Sequence, residues 1–191
     1  MSSLATKAVA IGASAGALDA LAGILPHLPE NYPVSVMVVV HLLADRPNPL
    51  VALLQPKCKL PIKEAEDKEP ALAGTVYLAP AGYHLLIEEN KHLSLSNDDP
   101  VSHARPSIDV LFEAAADAYG PDLTGVVLTG ANSDGAKGLK AIAGAGGMAL
   151  VQDPAHSYAA AMPQAALKEC PCARALSLAQ IATHLREITA P

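Results

Sequence analysis

Three side chains in this 191-residue chain have the types needed to make an activated hydroxyl nucleophile. Ser14 stands in Gly12-Ala-Ser14-Ala-Gly16, His41 directly follows the run 34–40, and Asp134 closes Thr129-Gly-Ala-Asn-Ser-Asp134-Gly135. A serine hydroxyl becomes a competent nucleophile only when a neighbouring base removes its proton during attack. An imidazole suits that task, because it titrates near neutrality and can return the proton to the leaving group. A carboxylate on the other ring nitrogen fixes the tautomer and stabilises the imidazolium. The glycines flanking Ser14 match Gly-x-Ser-x-Gly, a sharp strand-to-helix turn that exposes the hydroxyl and turns backbone N–H groups toward a developing oxyanion. Each residue also has a plainer reading. Ser14 would cap a helix, His41 would face solvent at a strand end, and Asp134 before Gly135 would mark a turn or an N-cap.

The elements around them decide between these readings. Residues 7–11 read as a buried strand and 17–25 as the helix after it. The β-branched run 34–40 is the clearest strand, with a short helix at 49–55. Residues 107–119 carry Ile108, Leu111, Phe112 and Ala115 on one helical face, stopped by Gly120-Pro121. A strand at 124–128, a helix at 136–145, a strand at 148–151 and helices at 161–169 and 178–187 complete the alternation. In the middle, the short runs 76–78, 83–87 and 92–96 read as an antiparallel meander or hairpin. Strands alternating with helices predict an α/β fold: one doubly wound, mainly parallel, Rossmann-like sheet with a small antiparallel hairpin, in a single domain over 1–191. In such a sheet, ligands bind outside the carboxyl ends of the strands. Three of these strands deliver Ser14, His41 and Asp134 to that one edge.

Composition narrows the rest. The net charge of -6, with no run of Lys or Arg, gives no electrostatic footprint for nucleic acid or an anionic membrane. No apolar run approaches bilayer length, and residues 1–7 lack the pattern of a secretory signal, so a cytoplasmic location is expected. Three cysteines fit a reducing compartment better than a disulfide framework. Cys170-Pro-Cys172 has no second Cys pair or His-x-His to complete a metal site, so idle thiols are expected there.

The order along the chain is Ser14, His41, Asp134, whereas the α/β-hydrolase fold places its acid between the serine and the histidine. Together with Ala10-Ile-Gly-Ala-Ser-Ala-Gly16, Val40-His41, Leu78-Ala-Pro-Ala-Gly-Tyr-His84, Arg105-Pro-Ser-Ile-Asp-Val-Leu-Phe112 and Leu128-Thr-Gly-Ala-Asn-Ser-Asp-Gly-Ala136, this order resembles the catalytic domain of the chemotaxis protein-glutamate methylesterases. The resemblance runs from Val9 to about Pro163. It implies hydrolysis of methyl esters on glutamate side chains of chemoreceptor cytoplasmic helices, and deamidation of receptor glutamines. Ser14 would be the nucleophile, His41 the general base and then acid, Asp134 the orienting carboxylate, and the Ala15 and Ala131 backbone N–H groups the oxyanion donors. His84 and Arg105 would lie near the site. No metal or organic cofactor is implied. Three departures stand out: Ala15 replaces the family's usual Thr, Ala17 its second Gly, and Ala131 its frequent Met. The family's usual phosphorylatable receiver domain does not precede Val9, so a stand-alone form is expected.

Other readings remain open from the residues alone. A hydrolase of the same architecture could act on another ester or amide. A nucleotide-binding loop at 12–16 would lack the middle glycine of G-x-G-x-x-G and any Walker lysine. A non-catalytic domain could keep the fold. His84 and His103 read by default as surface histidines, and Arg105 as a partner in a salt bridge or a substrate contact. Asp109 is ambiguous, and 97–100 reads as a solvated loop.

Overall fold

The computed structural model describes residues 4–41 and 48–189. Met1–Ser3, part of the N-terminal stretch weighed above, lie outside them. In chain order the elements are β1 (Ala8–Ala13), α1 (Ala17–Ala22), β2 (Ser35–Val40), α2 (Leu50–Leu54), β3 (Ile62–Glu64), β4 (Val76–Leu78), β5 (His84–Ile87), β6 (Leu93–Ser96), α3 (Ile108–Tyr119), β7 (Leu123–Val127), α4 (Ala136–Gly144), β8 (Met148–Gln152), α5 (Ala161–Glu169), β9 (Arg174–Leu176) and α6 (Leu178–Arg186). Seven strands pair in the order β3-β4-β2-β1-β7-β8-β9, every pairing parallel, and β5 and β6 form a separate antiparallel hairpin.

β1 and β2 are buried at every position, as expected of central parallel strands covered on both faces. Their side chains still alternate. Ala8, Ala10, Met37 and Val39 point into one core with Ile108, Phe112, Leu139 and Met162. Val9, Ile11, Val36 and Val38 point into the other with Leu21, Leu50, Leu54 and Ile181. Thus α3, α4 and α5 cover one face, and α1, α2 and α6 the other.

The middle of the chain differs from expectation. Val76–Leu78 is not part of an antiparallel meander; it is β4, parallel to β2 on one side and β3 on the other. Its three residues are all buried. A run that short carries no period that would distinguish a core strand from a hairpin strand. The antiparallel pair is confined to β5 and β6, with His84 opposite Ser96 and Ile87 opposite Leu93. The edge strands β3 and β9, each three residues long, have no counterpart in the sequence reading. The first helix ends at Ala22, and a 3₁₀ turn at Leu25–His27 follows.

From β1 the chain passes to β2 beside it, then to the outer edge at β3, back to β4 between β3 and β2, and later to the other side of β1 at β7. The switch point is therefore at the carboxyl ends of β2, β1 and β7, where a crevice is expected.

Candidate active site

The register brings the first two residues together. Ala13 pairs with Val40, and the next residue on each strand is Ser14 and His41. The His41 N–H donates to Ala13 O at 3.3 Å, and the Ser14 N–H to Thr129 O at 2.9 Å. Loop β7–α4 is thereby bonded to the turn after β1. The Thr129 hydroxyl donates to Ala15 O at 2.8 Å and accepts the Ala159 N–H at 2.8 Å, while the Gly130 N–H donates to Ala159 O. The turn is thus braced from below through one buried threonine.

Gly16 ends this turn with φ +82°, and a Cβ there would lie 2.7 Å from Tyr158 Cβ and 3.2 Å from Thr129 Cγ2. Only glycine fits without strain. Gly16→Ala is expected to cost about 1–2 kcal/mol and to lower Tm by about 2–8 °C, read by thermal unfolding.

His41 meets the third residue directly. Its Nε2 lies 2.8 Å from Asp134 Oδ2, with the carboxylate fully buried and the imidazole partly exposed. Asp134 is held by many donors. Oδ2 also accepts the Ile108 N–H at 2.7 Å. Oδ1 accepts the Ser107 hydroxyl at 2.8 Å, the Asp109 N–H at 3.1 Å and the Gly135 N–H at 3.0 Å. Burial alone would raise this carboxyl's pKa. The hydrogen bonds from His41, Ile108, Asp109 and Ser107 outweigh burial and hold it below the ordinary carboxylate value.

Asp134 does cap a helix, but not the one that follows it. It caps α3, whose first N–H groups and positive dipole end point at the carboxylate. Its two roles share an oxygen, since Oδ2 serves both Ile108 and His41. The arrangement is reciprocal. Asp109, in the first turn of α3, accepts the Gly138 N–H of α4 at 2.7 Å. Burial pushes the Asp109 carboxyl up; the Gly138 bond opposes that, and the charge of Asp134 adds to it. Gly138 permits the close approach, because a Cβ there would meet Phe112 Cβ at 2.5 Å. Gly12 does the same for Ile108, whose Cγ2 would lie 2.3 Å from a Cβ on it.

The remaining expectations divide. The N–H groups of Ala15 and Ala131 donate to no acceptor among the described residues, and Ala131 is exposed. His84 is not a surface histidine: it is 2% exposed. Its Nδ1 accepts the Ser107 N–H at 3.1 Å, and its Nε2 lies 3.1 Å from Asp99 O. It sits one bond behind Ser107, and so two behind Asp134. Arg105 makes neither a salt bridge nor a site contact among the described residues; its guanidinium donates to the carbonyls of Asn97 and Asp98 and ties down that loop. His103 is exposed. The Sγ atoms of Cys170 and Cys172 lie 3.4 Å apart as free thiols.

Two participants were missed. Ser107 reads in the sequence only as the first residue of the helix at 107–119, and its hydroxyl donates to Asp134. Asn132 accepts the Asp134 N–H at 3.0 Å through Oδ1 and places Nδ2 3.1 Å from His41 Nδ1. An Asn two residues before an Asp is a recognisable Asx-turn signal.

The sequence profile of the CheB methylesterase family matches residues 9–185. This chain belongs to that family. A Leptospira interrogans protein, provisionally named a protein-glutamate methylesterase/protein-glutamine glutaminase, is 47% identical over 176 residues, covering 92% of this chain and 91% of its own. Protein-glutamate methylesterase/protein-glutamine glutaminase 2 of Anaeromyxobacter dehalogenans is 40% identical over 96% of this chain and 53% of its own. The crystal structure of the Thermotoga maritima CheB methylesterase catalytic domain superposes with a TM-score of 0.90 at 32% identity, covering 95% of this chain and 97% of that one. The α/β architecture of the CheB catalytic domain is therefore the architecture of this chain. No helix among the described residues is long and apolar enough to cross a membrane.

Proposed function

We propose that this chain is a serine hydrolase that removes methyl esters from glutamate side chains on the cytoplasmic helices of chemoreceptors, and that the same machinery deamidates receptor glutamines. The observation that carries the reading is the 2.8 Å pair of His41 and Asp134 beside the residue that follows β1. Names of the family's members supply the substrate class. The reading treats 1–191 as one catalytic unit working in the cytoplasm, with no metal or organic cofactor.

In this mechanism the Ser14 oxygen attacks the ester carbonyl carbon as its proton passes to His41 Nδ1. The His41 Nε2–H stays on Asp134, which stabilises the imidazolium without taking the proton. The Ala15 and Ala131 N–H groups receive the oxyanion. Collapse breaks the bond to the methoxy group, which leaves as methanol with the proton from His41. Water, activated by His41, then cleaves the acyl-serine and releases the glutamate carboxylate. With a glutamine substrate the leaving molecule is ammonia.

The test is methanol and ammonia release from membranes carrying methylated chemoreceptors, run beside small methyl esters. Release from receptors is expected. Cleavage of small esters with none from receptors would assign the same chemistry to another acyl substrate.

A further inference from the structure

We propose that Asn132 is a positioning residue for His41 that also competes with Ser14 for its base nitrogen. The inference rests on the hydrolase reading above and concerns a residue outside the Ser-His-Asp set. The orientation of the Asn132 amide follows from its partners. The Asp134 N–H can only donate, so the atom 3.0 Å from it is the carbonyl oxygen Oδ1. The amide nitrogen is thereby turned toward His41 Nδ1, 3.1 Å away. An amide nitrogen only donates, so Nδ1 offers its lone pair and the ring proton lies on Nε2. Asp134 Oδ2, 2.8 Å from Nε2, requires the same tautomer from the opposite side of the ring. Two independent partners thus hold His41 in the form a general base needs.

A neutral imidazole has one in-plane lone pair on its unprotonated nitrogen. Asn132 uses it. The Ser14 hydroxyl, which must donate to that same lone pair to be activated, can do so only when the amide withdraws. The Asx turn to the Asp134 N–H keeps the amide close, so it returns when the hydroxyl leaves. His41 is consequently kept in register at rest and is released to Ser14 at the moment of attack.

A neutral hydrogen bond of this kind has a net worth of about 1 kcal/mol, or roughly a fivefold factor in rate. The experiment measures the second-order rate of labelling of the full chain by a small alkyl fluorophosphonate, with the modified residue located by mass spectrometry. Asn132→Ala and Asn132→Ser are compared with the wild type. The serine hydroxyl can keep the turn to the Asp134 N–H but is too short to reach His41. Both variants are expected to label Ser14 about fivefold faster. Nitrogen-15 spectra of the imidazole should show Nδ1 losing its side-chain amide donor while Nε2 keeps its proton. A rate equal to or below wild type in Asn132→Ser, with wild-type thermal unfolding, would overturn the proposal. Failure of the wild type to label at Ser14 would instead bring down the hydrolase reading, while the nitrogen-15 signature of the Asn132–His41 bond would remain.

Discussion

Replacing Ser14 by alanine should lower kcat for ester hydrolysis by about 10⁴-fold or more and abolish fluorophosphonate labelling, with little change in thermal unfolding. The loss is expected to fall on turnover because the attacking oxygen is removed while the base and its carboxylate stay in place. Stability should be spared for a structural reason. The backbone bonds of residue 14, from its N–H to Thr129 O and from the Ala17 N–H to its carbonyl, do not depend on the side chain. The hydroxyl itself has no hydrogen-bond partner among the described residues, so its removal leaves no buried group unpaired. Activity retained in Ser14→Ala, measured as methanol release, would remove the nucleophile from the scheme. His41→Ala should lose turnover to a similar degree.

Asp134 is expected to behave differently, because its replacement damages activity and fold together. In Asp134→Asn the carboxamide must present its NH₂ either to His41 and Ile108 or to Ser107, Asp109 and Gly135, and every one of these is a donor. Turnover should fall by up to about 10⁴-fold, the size of the effect when the orienting carboxylate of a serine triad becomes an amide. Stability should fall by about 2–4 kcal/mol, since buried donors lose their acceptor. The pH dependence follows from the direction of the shift. The folded carboxyl titrates below its ordinary value, so its stabilisation is fully present above the unfolded carboxylate pKa of about 4 and is lost as pH falls through the folded value. Denaturant titrations should therefore find the gap between wild type and Asp134→Ala widest near neutrality and narrowing steadily below about pH 4. A gap independent of pH would show that the carboxylate's charge is not what the fold uses.

Much of this was legible before any coordinates. β2 declared itself through seven residues from Val34 to Val40 dominated by valine, and His41 followed because nothing separates it from that strand's end. The alternation of buried strands with amphipathic helices gave the layers, and the switch point gave the edge where Ser14, His41 and the 129–134 loop meet. What stayed hidden depended on distance in sequence. His84 looks like a surface residue on a hairpin until α3 folds over β5 and Ser107 reaches it, 23 residues away. Ser107 reads only as the first residue of a helix until Asp134, 27 residues on, accepts its hydroxyl. β4 was misassigned because three buried residues are too few for a period to speak. Arg105 reads as a partner in a salt bridge or a substrate contact, and it makes no salt bridge among the described residues. One terminal nitrogen of its guanidinium donates instead to two carbonyls of one loop.

The exchange of caps between α3 and α4 has a consequence for how related sequences should be interpreted. A lineage that abandoned catalysis could discard Ser14 at little cost, yet it would still require the carboxylates of Asp134 and Asp109 to keep the starts of two helices solvated by something other than water. The acid of the triad is therefore a poor witness to whether a descendant still turns over substrate. The serine, which the architecture hardly uses, is the reliable one.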